Sequence, residues 1–139
     1  MSTNLIFRFR AGQRAIRMIL SQIQLVARSY PRAKPMLREF SEVLLTHWRL
    51  QNDDLWDRLS VFFVDDREKT KMLEFLTHNL KDLKIRYMVF FDQYTGEWGD
   101  VGSKNFVKDF TSFSEEILAR IKIEEEYLFP LLDRVFSEK

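Results

Sequence analysis

The chain contains no cysteine, which removes disulfides, thiolate metal ligands and cysteine nucleophiles and leaves its redox compartment open. Only four glycines and three prolines occur among 139 residues, so turns are few and helices long. Histidine is nearly as scarce. His47 and His78 are the only two, and with no cysteine beside them the sequence argues against nucleophilic catalysis. Neither sign of charge dominates: 22 basic and 21 acidic residues leave a net +1, which gives no bulk argument for a nucleic-acid or membrane partner. No uncharged apolar run is long enough for a signal peptide or a membrane span, and Arg8, Arg10, Arg14 and Arg17 interrupt the first apolar segment. Phosphate-binding glycine loops, a Ser-His-Asp set and nucleic-acid motifs are missing as well. These absences set the expectation of a cytoplasmic chain that is not an enzyme, crosses no membrane and binds no nucleic acid.

What is present is helical periodicity over the length of one domain. Residues 11–30 carry Ile16, Leu20, Ile23 and Ala27 at helical spacing, with Pro31 and Pro35 expected to end that helix. A second helix is expected from about residue 35, with a stripe of Leu37, Phe40, Leu44, His47, Gln51, Leu55, Leu59 and Phe62, before Asp65-Asp66, where an Asp can cap the next helix. A third begins near Arg67 with Leu73, Leu76, Leu80, Leu83, Tyr87, Phe90 and Tyr94. The loop 95–104 holds three of the four glycines, and a fourth helix then points Phe106, Phe110, Phe113, Ile117, Glu124, Leu128, Leu131 and Val135 inward. Pro130 lies late in it and removes one backbone bond, so a kink or a local widening is expected there. Four amphipathic helices predict an all-α, antiparallel up-down-up-down four-helix bundle over residues 11–139. Residues 1–10 alternate in part and are expected to form an N-terminal arm.

Polar residues on those apolar stripes are the candidates for chemistry. At 100° per residue His47 and Gln51 fall near the centre of one stripe, Arg120 and Glu124 near that of another. Of Glu124-Glu125-Glu126 only Glu124 points inward; the other two, like Asp53-Asp54, read as a solvated face. His78 lies roughly opposite the Leu73, Leu76, Leu80, Leu83 stripe and is expected to be exposed or at the boundary. Trp98, in the glycine-rich loop, and Arg8 and Arg10 are the candidates for contact with a protein partner.

Two motifs carry a resemblance. Arg120, three residues, Glu124, then Leu128-Phe129-Pro130 is similar to the last iron-binding helix of hemerythrin-like (HHE cation-binding) domains, with arginine where the family has histidine. His47, three residues, Gln51, then Leu55-Trp56 resembles another ligand motif with Gln for Glu, and the family's histidine on the first helix would fall near Gln13. The resemblance spans roughly residues 13–134 and implies a hemerythrin-like bundle, whose members bind oxygen or sense oxygen or iron through a non-haem di-iron centre. Most ligand positions depart from the pattern, so the expectation is no cofactor and a polar core of Gln13, His47, Gln51, Arg120 and Glu124. Arginine offers a metal no lone pair. The competing expectation is a surviving iron site built from His47, Glu124 and His78, with Asp54 or Glu74 assisting. Helix order, Phe91-Asp92-Gln93-Tyr94 and the segment from Ile117 to Leu132 are more loosely similar to the Rsd/AlgQ regulators that sequester a bacterial sigma factor. Two positions of Arg120 remain open at this level: paired with Glu124 inside the core, or snorkelling past its stem to solvent. Either way the expected function is that of a bacterial protein-binding or regulatory module, monomeric or homodimeric, whose partner the residues do not name.

Overall fold

The computed structural model describes residues 2–95 and 103–136, and among these every regular element is helical. Helices α1 (Ser2–Val26), α2 (Tyr30–Arg49), α3 (Asp53–Phe62) and α4 (Arg67–Thr95) are followed by a 3₁₀ turn (Ser103–Asn105), α5 (Phe106–Ile123), a π-helical segment (Glu124–Leu128) and α6 (Phe129–Phe136). α2 with α3, and α5 with α6, act as single interrupted rods, so four rods enclose the core in an all-α bundle. Trp98 lies outside the described residues.

Three expectations are corrected. The N-terminal arm is instead the first turns of α1, because Phe9 continues the Ile16, Leu20, Ile23 stripe back toward the N-terminus and is fully buried against Phe129. A short segment with an apolar face to bury gains more by extending a helix than by lying separate. α2 starts at Tyr30, not near residue 35. Pro31 falls in the first turn, where its missing N–H is no loss, and Pro35 is accommodated inside the helix. The second rod is broken at residues 50–52: Asn52 caps α3 by accepting from Leu55 N (2.9 Å), and Asp53 and Asp54 follow in the first turn, where carboxylates favour a helix start. Phe63, four residues after Leu59, takes the inward place expected of Phe62, which is half-exposed. Asp66 caps α4 through Lys69 N (3.0 Å), as its position implied.

The widening expected near Pro130 is the π segment. Phe129 N bonds the carbonyl of Glu124, five residues back, which relieves the contact between the proline ring and the preceding turn.

The buried residues divide into two apolar halves. One gathers Ile16, Ile23, Leu37, Phe40, Leu44, Phe90, Tyr94, Phe110 and Ile117 among others, and the second centres on Phe9, Leu59, Leu76, Leu128 and Leu132. Among the described residues, the partly buried Trp56 packs against both. Between them lies a polar layer.

Candidate functional site

Every rod sends a polar group into this layer. Gln13 comes from α1, His47 from α2, Gln51 from the α2–α3 break, Asn79 from α4, Arg120 from the end of α5 and Glu124 from the start of the π segment. Glu124, 0 % exposed, is the hub. Its Oε1 accepts from Gln13 Nε2 (3.0 Å) and His47 Nε2 (2.8 Å), and its Oε2 from Gln51 Nε2 (2.9 Å) and Arg120 Nε (3.2 Å). Arg120, 2 % exposed, also donates from Nη1 to the Leu76 carbonyl (2.8 Å) and Asn79 Oδ1 (3.0 Å), and from Nη2 to Gln51 Oε1 (2.6 Å). Gln51 thus bridges the pair, giving its amide protons to the carboxylate and its oxygen to the guanidinium. Trp56 Nε1 holds the Gln51 carbonyl (3.2 Å) and so fixes the break that presents this side chain.

Burial pushes the Glu124 carboxyl up, but the His47 hydrogen bond and charge, the Arg120 charge and the Gln13 amide together outweigh it and hold the carboxyl below its ordinary value. Burial likewise pushes the Arg120 guanidinium down, opposed by Glu124. Charges of opposite sign and complete bonding let a buried pair persist in an apolar interior.

A carboxylate only accepts, so His47 Nε2 carries a proton and donates it to Glu124. The other ring nitrogen, Nδ1, has no hydrogen-bond partner among the described residues. Against Nδ1 stands Gly12, where a Cβ would overlap the ring nitrogen and crowd His47 Cγ at 3.1 Å. Glycine in mid-helix costs about 0.5–1 kcal/mol relative to alanine, and here it makes room for the imidazole.

The structure therefore brings Gln13, His47, Gln51, Arg120 and Glu124 together, with Arg120 inside the core and not at the surface. His78, Asp54 and Glu74 are exposed and do not join them. Arg8 and Arg10 are exposed on α1, the latter over the Phe129 ring at 5.4 Å. Gly12, Asn79 and the Leu76 carbonyl are participants that residue patterns did not identify; the single glycine within a helical stripe was the one available signal.

As a metal site the layer is a poor fit on the chemistry of its donors. Both Glu124 oxygens are occupied by N–H donors, the His47 nitrogen facing the layer spends its proton on that carboxylate, and Arg120 already supplies a positive charge. Among the described residues no group of three or more His, Cys, Asp or Glu side chains is placed to hold an ion. Compared with known protein families, characterised proteins and solved structures, the chain matches none of them.

Three outcomes are expected. Arg120→Met and Glu124→Gln should each cost about 3–5 kcal/mol by stranding a partner, while the double variant costs less than their sum by at least about 2 kcal/mol in a urea-denaturation cycle; additive losses would mean that the two side chains are not coupled. Gly12→Ala should destabilise by roughly 1–3 kcal/mol, reversing the usual helical gain, because the imidazole must move; in a His47→Ala background the same change should be neutral or favourable. Since folding lowers the Glu124 proton affinity, its contribution is complete above about pH 4.3, the unfolded carboxyl value, and is lost as pH falls through the lower folded value. Unfolding free energy followed from pH 7 downward should show this acid slope in the parent protein, and a smaller one in the double variant.

Proposed function

We propose that the chain is a metal-free, non-catalytic bundle of hemerythrin-like design, in which the Arg120–Glu124 pair stands where related domains hold iron, and that it works as a protein-binding or regulatory module through its surface. The carrying observation is the placement of the Arg120 guanidinium, bonded to Glu124, Gln51, Asn79 and the Leu76 carbonyl in the layer between the two apolar halves. A divalent ion there would face a fixed like charge and carboxylate oxygens already engaged.

An antiparallel up-down-up-down path is supported by contacts that run in opposite sequence directions. Gly12 meets His47 across the short α1–α2 turn; Tyr30 meets Tyr94 and Ser41 meets Tyr87 between α2 and α4; Tyr94 meets Phe106, Phe90 meets Phe113 and Leu76 meets Arg120 between α4 and α5. A surface role is supported by the apolar side chains left outside, among them Val61, Phe62 and Val64 at the α3–α4 corner and Ile85, Met88 and Val89 along α4. The interior, closed by its own bonds, offers no reacting group to a substrate.

Elemental analysis of protein purified without a histidine tag, then thermal melting before and after anaerobic ferrous loading, tests the reading. No bound metal and no rise in melting temperature are expected, since a ligand stabilises only the state it binds. Near-stoichiometric iron that is lost in His47→Ala would replace the proposal with a metalloprotein.

A further inference from the structure

Charge is not evenly spread along the chain. Residues 1–38 contain eight Lys and Arg and no Asp or Glu, leaving 14 basic and 21 acidic residues, a net −7, for the remainder. The near-neutral total conceals a basic first helix. Arg8, Arg10, Arg14 and Arg17 are exposed on α1, and Arg28 is exposed in the turn that follows it.

The face of α1 turned away from the core also carries a line of large apolar side chains. Phe7 is 65 % exposed, Met18 57 % and Leu25 86 %. At 100° per residue Phe7, Arg14, Met18 and Leu25 fall within about 40° of one another, opposite the buried Phe9, Gln13, Ile16 and Ile23. The line is about 27 Å long at 1.5 Å per residue. Arg10 and Arg17, the latter paired with Glu125 at 3.6 Å, flank it on one side and Arg8 on the other, and Arg28 follows in the turn beyond Val26. α1 is thus doubly amphipathic, one face closing the core and the other presenting apolar anchors between arginines.

The charge pattern selects the occupant. A second copy of the chain docking symmetrically through α1 would set arginines against arginines. An acidic helix from another protein would need a groove beside the ridge, and the depression next to Phe7 is lined by Glu125 and Asp133 as well as Arg10, which would repel it. A straight, convex ridge needs no groove if what it meets is flat and deformable. We propose that the outward face of α1 lies on an anionic lipid surface, with Phe7, Met18 and Leu25 entering the headgroup region and the arginines engaging lipid phosphate and carboxylate groups. No described helix is long and apolar enough to cross a membrane, so the contact is peripheral. The inference is independent of the metal-free reading, because it uses only surface residues.

The test is co-sedimentation of the whole chain with vesicles of phosphatidylcholine containing roughly 30 % phosphatidylserine at about 0.1 M salt, against vesicles of phosphatidylcholine alone. Binding to the anionic vesicles only is expected, weakened at least about tenfold by Arg14→Glu with Arg28→Glu, and by Met18→Ser with Leu25→Ser. All four positions are exposed, and unchanged melting temperatures would show that the variants fold. Failure of the parent protein to bind anionic vesicles, or binding indifferent to both pairs of substitutions, would overturn the proposal. Loss with the arginine pair but not with the apolar pair would overturn the insertion and leave a purely electrostatic contact. Capture of an acidic amphipathic peptide by this face, with vesicles ignored, would assign it to a protein partner instead.

Discussion

A single buried carboxylate governs the middle of this bundle. Glu124 sits at 0 % exposure, and an ionised side chain in that position is tolerable only if its oxygens are fully bonded and its charge is opposed. One helix cannot do this alone, so α1, α2 and the α2–α3 break each contribute a donor, α5 itself contributes the cation, and α4 in turn holds that cation with Asn79 and a main-chain carbonyl. The layer ties all four rods at one height. A slip of any rod by one turn, about 5.4 Å, would break bonds in the layer while leaving leucines and phenylalanines to find new apolar neighbours.

The backbone irregularities cluster around the same height for the same reason. The π segment begins at Glu124, the second rod is interrupted where Gln51 turns inward, and Gly12 removes a side chain where the imidazole must pass. Each departs from the most favourable helical arrangement by a small amount, and each positions a member of the network. Pro130 adds its own demand a few residues on. Its ring would crowd the carbonyl of Glu126 in a regular α-helix, and the wider turn relieves that crowding just where Glu124 leaves α5.

Much of this was legible from residue patterns, and what was not has physical causes. The apolar stripes marked the inward faces, so Arg120, Glu124, His47 and Gln51 could be placed on them from spacing, although spacing left open whether the Arg120 head stayed in the core or reached past its stem to solvent. Gln13 came only through the family resemblance, from one position near a helix start. The break after Leu50 was missed because Gln51 and Leu55 keep helical spacing on either side of it; only the Asn52-Asp53-Asp54 capping signal separated them, and those acids read equally well as a solvated face. The partial alternation of residues 1–10 masked Phe9, whose ring partners His47 and Phe129 lie far along the chain in α2 and α6. Asn79 and the Leu76 carbonyl were beyond pattern reasoning, since one looks like any boundary polar residue and the other carries no side-chain signal.

A buried ion pair is weak evidence for extra stability, since apolar residues of similar volume often serve as well. Its value here is geometric. Two apolar halves built from Leu, Ile and Phe would tolerate several registers, whereas the donors and acceptors of the layer match in one. Arg120, bonded to Glu124, Gln51, Asn79 and the Leu76 carbonyl, organises four rods around a charge. The interior is then a fixed frame, and the outside of the bundle is left free to differ in character. There the segment with the strongest character is α1, whose inner face carries Gln13 into the network while its outer face carries arginines around Phe7, Met18 and Leu25. Because the same helix is locked at both Phe9 and Gln13, its outward residues are held in line with no further ordering needed on contact, which is the condition under which a modest number of anchors can act together.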